Sequence, residues 1–409
     1  MKSIARHDDM RRHNRRLVLD ALRRGAPLSR TDICLRTGLS PATVSAFSAA
    51  LIGEGVLVED APSAQSSIRR GRPQTGLALN PSAASVLTLV LTVNAMRAAV
   101  FDYAGNRLAD AAVDFAGPAK TEAELVDAVV SAGRKAIHSA GLRGPLRSVT
   151  AAVQGIADAG SRTILWSPFT PARNVRLADA LETVFDAPAM LFHDCAMIVK
   201  ALRRRDPARH GADFVAVLQS EGIGMGLHLK GAVFSGARSS AGEFGHTVIA
   251  PGGARCRCGR RGCVEAYASN YAIWRRASGG DPDIVPERHF GRVEMAAIAE
   301  SARAGDDGAR AAFAEAGRAL GLGLGNLFAL TDPLDVSIVG PGGDAFDLTE
   351  AALREAIGET FAGAAGAAVA ITCYPDEQEL AEDGCRITAL GRLDDEVFAT
   401  GESPARAAE

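Results

Sequence analysis

Three cysteines, Cys256, Cys258 and Cys263, stand within eight residues, and His246 precedes the first of them by ten positions. No other feature of the chain restricts its fold so tightly. Three thiolates and one imidazole make a full set for tetrahedral Zn²⁺, which accepts Cys₃His and in a structural site keeps no position open. Gly259 and Gly262 let the backbone curl the sulfurs around one point. Arg255, Arg257, Arg260 and Arg261 interleave with the ligands, a polarity that suits a metal loop better than buried reduced thiols. With four protein ligands and no place for an activated water, the zinc is expected to be structural, pinning the loop 243–265. Cys34, Cys195, Cys373 and Cys385 are scattered, so a metal site in a reducing compartment is expected before a disulfide framework.

At 409 residues the chain exceeds one ordinary core and predicts more than one domain. Residues 1–80 carry 13 Lys/Arg against 7 Asp/Glu, a net of +6 that leaves −9 for the remainder of a chain whose total is −3. A basic head on an acidic body suits a head that meets phosphate. The sequence has no apolar run of bilayer length and no signal-peptide core, so the expectation is a cytoplasmic protein without membrane contact.

Within the head, Leu17, Val18, Ala21 and Leu22 recur at helical spacing over 14–24. A second helix follows Ser29, with Asp32 in capping-box position, carries Ile33 and Leu35, and stops at Gly38. A third opens with Ser40 as N-cap and Pro41 at the first helical position. Helix, glycine turn and Ser-Pro-started helix predict a helix-turn-helix, and short apolar runs at 56–59 and 77–79 predict the strands of a wing. With Val44 and Phe47 inward, Pro41, Thr43, Ser45 and Ala46 face outward as candidate base contacts. Ser40 and the arginines at 11, 12, 15 and 16 are candidate phosphate contacts. Arg70 and Arg72, in the run Arg69-Arg-Gly-Arg-Pro73, suit a narrow minor groove; a solvated linker is the equal alternative. A plain three-helix bundle explains the caps, turn and wing less well than DNA binding does.

Beyond residue 80 the pattern is α/β with two lobes: a hairpin over 86–103 turning at 104–106, a helix over 122–139, and strands near 149–153, 214–218, 226–229 and 336–339. The segments Glu221-Gly-Ile-Gly-Met-Gly226, Gly242-Glu-Phe-Gly-His246 and Cys256-Arg-Cys-Gly-Arg-Arg-Gly-Cys-Val-Glu265 resemble, in order and spacing, the ROK family of repressors and sugar kinases. The resemblance covers roughly 81–395, with Gly321 to Asn326 and Val339 to Gly343 matching the family's ending. It implies an actin-like, hexokinase-like body at 81–409 behind a winged helix-turn-helix at 1–80, and it places the chain with the repressor branch.

The resemblance also implies sugar contacts for Glu243, Glu265 and the second ring nitrogen of His246, and puts Asp194 at the kinases' general base. Carboxylates suit this work because one can accept from two vicinal hydroxyls. His193, Ala196 and Phe169 replace family asparagines, so the ligand need not be an ordinary hexose. Family kinases open with an Asp-x-Gly-x-Thr turn, where this chain has Val90-Leu-Thr-Val-Asn94, and Glu221 replaces a phosphate-loop Thr. A carboxylate there repels ATP, so no kinase activity is expected, and Asp194 is left as a hydroxyl ligand or a satisfied buried carboxylate. The function expected is a sugar-responsive repressor, a homodimer or homotetramer on a palindromic operator in double-stranded DNA. An active kinase with an appended head, and a ligand-independent regulator controlled by a protein partner, are the alternatives.

Overall fold

The structure, a computed structural model, describes residues 2–60, 75–93, 95–114, 121–237, 241–364 and 369–400. The chain divides into two compact units, Met1–Phe192 with Cys385–Glu409, and His193–Gly384. The first opens with α1 (Lys2–Gly25), α2 (Arg30–Thr37) and α3 (Pro41–Gly53), followed by β1 (Leu57–Asp60) and β2 (Gly76–Leu79). The capping box forms as expected: Ser29 Oγ accepts from Asp32 N at 3.1 Å, and Asp32 Oδ2 accepts from Ser29 N at 3.1 Å. Gly38 closes α2 at φ +72°, a conformation that only a glycine adopts without strain. β1 and β2 pair antiparallel, Leu57 opposite Leu79, and make the base of the wing. Its tip, with Arg70 and Arg72, lies outside the described residues.

Three details of the head differ from expectation. α1 starts near residue 2 instead of 14, because apolar periodicity marks only the stretch that is buried, Val18 to Leu22. Leu35 is 76% exposed, since Ile33 alone fills the inward face of a helix two turns long. Arg15, expected on phosphate, is fully buried. Its guanidinium donates to Glu54 Oε1 at 2.9 Å and to the Phe398 carbonyl at 3.0 and 2.8 Å, so it is unavailable to DNA.

The rest of the first unit is β3 (Ser85–Leu91), β4 (Ala95–Asp102), β5 (Arg107–Asp114), α4 (Glu122–Ala140), β6 (Leu146–Val153), the short pair β7 (Ile156–Ala157) and β8 (Ile164–Trp166), α5 (Leu177–Phe185) and β9 (Ala189–His193). The main sheet runs β5-β4-β3-β6-β9. The expected hairpin turn at 104–106 joins β4 to β5, with Gly105 at φ +95°. Strand periodicity explains why β3 is buried throughout: Leu87, Leu89 and Leu91 pack with α4 and α5, while Val86 points to the other face. That second face carries the head, because Val86, Phe101 and Tyr103 share one core with Val18, Leu22, Val44 and Leu51.

The second unit contains α6 (Asp194–Arg205), β10 (Phe214–Gln219), β11 (Ile223–Leu229), β12 (Ala232–Val233), α7 (Glu265–Ala268), α8 (Asn270–Ala277), α9 (Arg292–Ala304), α10 (Asp307–Thr331), β13 (Asp335–Val339), α11 (Pro341–Asp344), α12 (Phe346–Gly358), α13 (Phe361–Ala364) and β14 (Ile371–Tyr374). Its sheet, β12-β11-β10-β13-β14, repeats the order of the first: an antiparallel meander of three strands, then a strand parallel to the first of them. This duplicated sheet is the actin-like body. α10 and α12 meet through glycines, since a Cβ on Gly317 would lie 2.3 Å from the Thr349 carbonyl oxygen. The division between the units falls inside α14 (Glu377–Arg392), which leads into a π-helical turn, Leu393–Phe398.

That turn packs within the first unit. Arg23 of α1 donates to both oxygens of Asp394 at 2.6 and 2.8 Å and to the Tyr103 carbonyl at 3.0 Å, while the Tyr103 hydroxyl donates to Asp394 Oδ1 at 2.5 Å. Burial, and then the charge of Asp394, push the Tyr103 phenol well above its ordinary range, so it remains a donor. Tyr103→Phe therefore removes a buried charge-assisted hydrogen bond and is expected to cost about 1.5–3 kcal/mol. Urea unfolding of the full chain should show the midpoint move down; an unmoved midpoint contradicts the role given to Tyr103.

Candidate functional site

Two sets of residues carry chemistry, one in each unit. In the head, Ser40 caps α3, its Oγ accepting from Thr43 N at 3.2 Å and lying 2.8 Å from Thr43 Oγ1. Pro41, Ser45 and Ala46 are exposed and Thr43 half-buried, while Val44 and Ser48 are buried, so the four candidate base contacts share the outward side of the helix start. At the other end, Glu54 closes α3 and is held by Arg15. The helix is thus fixed at both ends, with one side open.

In the second unit, His246 Nδ1, Cys256 Sγ, Cys258 Sγ and Cys263 Sγ all lie within 4.8 Å of one another. Ladder-like bonds shape the loop: Cys256 N donates to Arg260 O and Gly259 N to Cys256 O, each at 2.9 Å. Gly259 and Gly262 take φ of +86° and +78°, and a Cβ on Gly262 would lie 1.8 Å from the Ala250 carbonyl oxygen. Both glycines are therefore required where the sequence places them. Cys256 Sγ is 3.8 Å from His246 Nδ1, and Cys258 Sγ is 3.8 Å from Cys263 Sγ. A tetrahedron with metal–sulfur arms of about 2.3 Å has edges of about 3.8 Å, so the donor set fits one ion.

Three carboxylates surround this cluster or the start of α6. Glu243 precedes the 3₁₀ turn Phe244–His246, and its Oε2 lies 3.8 Å from His246 Nε2, the nitrogen turned away from the sulfurs. Glu265, buried at the start of α7, sets Oε1 3.3 Å from Cys256 Sγ and accepts from Ile223 N at 3.4 Å through Oε2. Burial raises its carboxyl above the usual range, opposed by His246 and these donors. Asp194 is buried at the first position of α6, with His193 Nδ1 3.5 Å from its Oδ1. Burial, then the charge of Asp194, then that of Glu243, push the Cys195 thiol up. Glu265 faces the cluster, whereas Glu243 reaches out to the second nitrogen of His246.

Sequence reasoning missed the partners of several residues. Glu221 is buried and accepts from Arg257 Nη1 at 3.2 Å, from His289 Nδ1 at 3.1 Å and from the Phe290 amide. Arg257, which looked like one more solvated arginine, also lies over the Tyr271 ring at 4.4 Å. Arg275 is buried and donates to the carbonyls of Arg255, Ala266, Pro282 and Ile284, tying the metal loop to the segment after α8. In the first unit, Val93 N donates to Gln154 Oε1 at 3.1 Å; Asn94 lies outside the described residues. Phe169 is fully buried among Ile164, Val175 and Leu177 and is a core residue. Interleaving charge gave no signal for these pairings, which join residues 36 to 69 positions apart in the case of Glu221.

Residues 89–381, spanning the duplicated sheet and the metal loop, match the ROK family. The chain belongs to the ROK family. It is 26% identical over 321 residues to the DNA-binding transcriptional dual regulator NagC of Escherichia coli K12, covering 77% of each chain. With the xylose repressor of Caldicellulosiruptor bescii it shares 25% over 368 residues, 87% of this chain and 90% of that one. Among solved structures, a ROK family transcriptional regulator described as a homologue of E. coli Mlc superposes with a TM-score of 0.76 at 22% identity, over 96% of this chain and 99% of that one. A ROK glucokinase from Streptomyces griseus, in complex with glucose and AMPPNP, reaches 0.61 at 23% identity over 75% and 99%. The fold is thus a winged helix-turn-helix ahead of a two-lobed ROK body.

Glu221→Ala is expected to leave the buried Phe290 amide and the Arg257 guanidinium without their shared acceptor, at a cost of about 2 kcal/mol. Limited proteolysis should then cut the segment 279–291 faster than in the parent chain. An unchanged digestion pattern counts against Glu221 as its anchor.

Proposed function

We propose that this protein is a DNA-binding transcriptional regulator, a repressor that responds to a sugar or sugar derivative bound in its ROK body. The observation that carries the reading is the open side of α3, presented by a capped and wing-flanked helix in front of the family body. The repressors NagC and the xylose repressor, alike over most of the chain, support it. Pro41, Thr43, Ser45 and Ala46 would read base edges from the major groove, Ser40 would take a phosphate, and Arg70 and Arg72 would enter the minor groove. The operator would be palindromic double-stranded DNA bound by a homodimer or homotetramer in the cytoplasm. No helix among the described residues is long and apolar enough to cross a membrane.

Asp194, Glu243, His246 and Glu265 are the proposed sugar contacts. The carboxylates would accept from hydroxyls and His246 would share a hydrogen bond through Nε2, while Glu265 would also hold the loop through Cys256 and Ile223. The group held by His246, Cys256, Cys258 and Cys263 is Zn²⁺ in a structural role, since thiolates and imidazole suit it and four ligands close the site. Kinase activity is not proposed. The Val93 amide is taken by Gln154, and Glu221 presents a carboxylate where a kinase loop has a hydroxyl.

Selection of bound sequences from a random duplex pool by the full chain, followed by salt titration on the winner, tests the head. A contact with six or more phosphates is expected to lose about a thousandfold in affinity between 50 and 200 mM salt. Ser45→Glu should abolish binding, and failure to select any duplex overturns the reading. Thermal-shift screening with monosaccharides and their phosphates tests the body, with no stabilising ligand pointing to regulation by a protein partner. Sugar-dependent ADP release, lost in Asp194→Asn, would establish the kinase alternative. Metal analysis should find about one Zn per chain, and Cys258→Ser should lose it.

A further inference from the structure

The polypeptide passes between the two units twice, at Phe192–His193 and at Gly384–Cys385. The first crossing ends beside Asp194, at the start of α6. The second lies within α14, which runs on into the π-helical turn that holds the head. Between these crossings, inside the second unit, α6 and α14 touch. A Cβ on Gly384 would lie 2.1 Å from the Met197 carbonyl oxygen, so α14 and α6 touch backbone to backbone at this glycine. One α6 turn pair further on, Arg205 donates to Asp383 Oδ2 at 3.0 Å and to Glu379 Oε1 at 2.6 Å. α6 and the first half of α14 are therefore joined at two places.

At its far end the same segment grips the head. The Phe398 carbonyl accepts twice from the buried Arg15, whose other donors hold Glu54 at the C-terminal cap of α3. Asp394 takes Arg23 in a two-point contact. Phe398 itself packs edge-on against the Tyr103 ring, centroids 4.6 Å apart. Every step of this route from Asp194 to the recognition helix is a helix or a close contact within one unit, and the route crosses from one unit to the other along the backbone of α14.

We propose that α6, Gly384, α14 and the Arg15–Glu54 clasp form the relay through which events at Asp194 reach α3. The proposal rests on the reading of α3 as the DNA-binding element, and it names Arg15 and Gly384 as positioning residues that touch neither ligand nor DNA. A shift of α6 along its axis is passed to α14 because the Gly384 contact has no side chain to absorb it. The π-helical turn then carries Phe398, and with it Arg15 and Glu54.

Hydrogen exchange on the full chain tests this without knowledge of ligand or operator. Gly384→Ala, which must push α14 off α6, is expected to speed exchange in 393–398 and in 41–54 about fivefold or more, leaving α4 within twofold of the parent. By reciprocity, Arg15→Met should speed exchange in 194–205. If Gly384→Ala does not fold, Arg205→Met loosens the same junction and is read in the same way. Unchanged exchange over 41–54, or an equal rise in α4, overturns the relay. Loss of duplex selection by the parent chain would instead overturn the DNA-binding reading and leave the exchange result standing.

Discussion

A guanidinium shut away from water has to find acceptors for its N–H groups, or the charge is far too costly to bury. Arg15 meets that demand with one carboxylate and one carbonyl, and the choice of partners organises the first unit. Glu54 belongs to the end of α3, and Phe398 belongs to the last turn among the described residues. Neither partner can leave without stranding a donor of Arg15. The head is consequently not a bead on a string. Its helices share a core with Val86, Phe101 and Tyr103 of the first sheet and with Leu390, Leu393 and Phe398. Polar groups set the register of that contact, while the apolar core supplies the bulk of its free energy.

The second unit solves a different problem with different means. Between Ala250 and Cys263 the loop has few apolar side chains to bury, a small cluster of Ala254, Cys256 and Cys263 with Ala266 of α7. A cluster of that size does not fix a loop carrying four arginines. Donor atoms drawn to one point can, and the arginines then become fasteners: Arg257 to Glu221, Arg261 to Asp283 and Gly253 O. Arg275 closes the arrangement from beneath by collecting carbonyls. Glu243 and His246 inherit their positions from this loop, so the geometry of a hydroxyl-binding patch would depend on the His246–cysteine cluster.

What could be read in the sequence was whatever is decided within a few residues. Ser29 with Asp32, Ser40 with Pro41, Gly38, and the Cys-x-Cys-Gly run all act over one turn or one loop, and the structure has each of them as read. Strands β3, β4, β6, β10, β11 and β13 were legible because burial of their faces writes itself as apolar runs, whereas β5, β9, β12 and β14 went unread. What escaped reading was long-range pairing. Arg15 and Phe398 are 383 positions apart, and nothing in a string of arginines near the N-terminus distinguishes the one that turns inward. Leu35 misled for the converse reason, since an apolar letter at helical spacing is only an opportunity for burial. Arg257 and Glu221 were each noticed, yet as separate charges, and a pair becomes visible only when the fold brings them together.

A phosphoryl-transfer site must keep backbone amides free and pointing at the phosphates, in a setting without competing negative charge. In this body the Val93 amide, next to the strand-turn that opens the first sheet, is committed to the side chain of Gln154. At the turn between β10 and β11, Glu221 collects three donors and closes the corner with a carboxylate. Both bonds tie a turn down at the end of a strand. In the relay proposed above, tied turns would leave fewer soft places in which a small displacement could be lost.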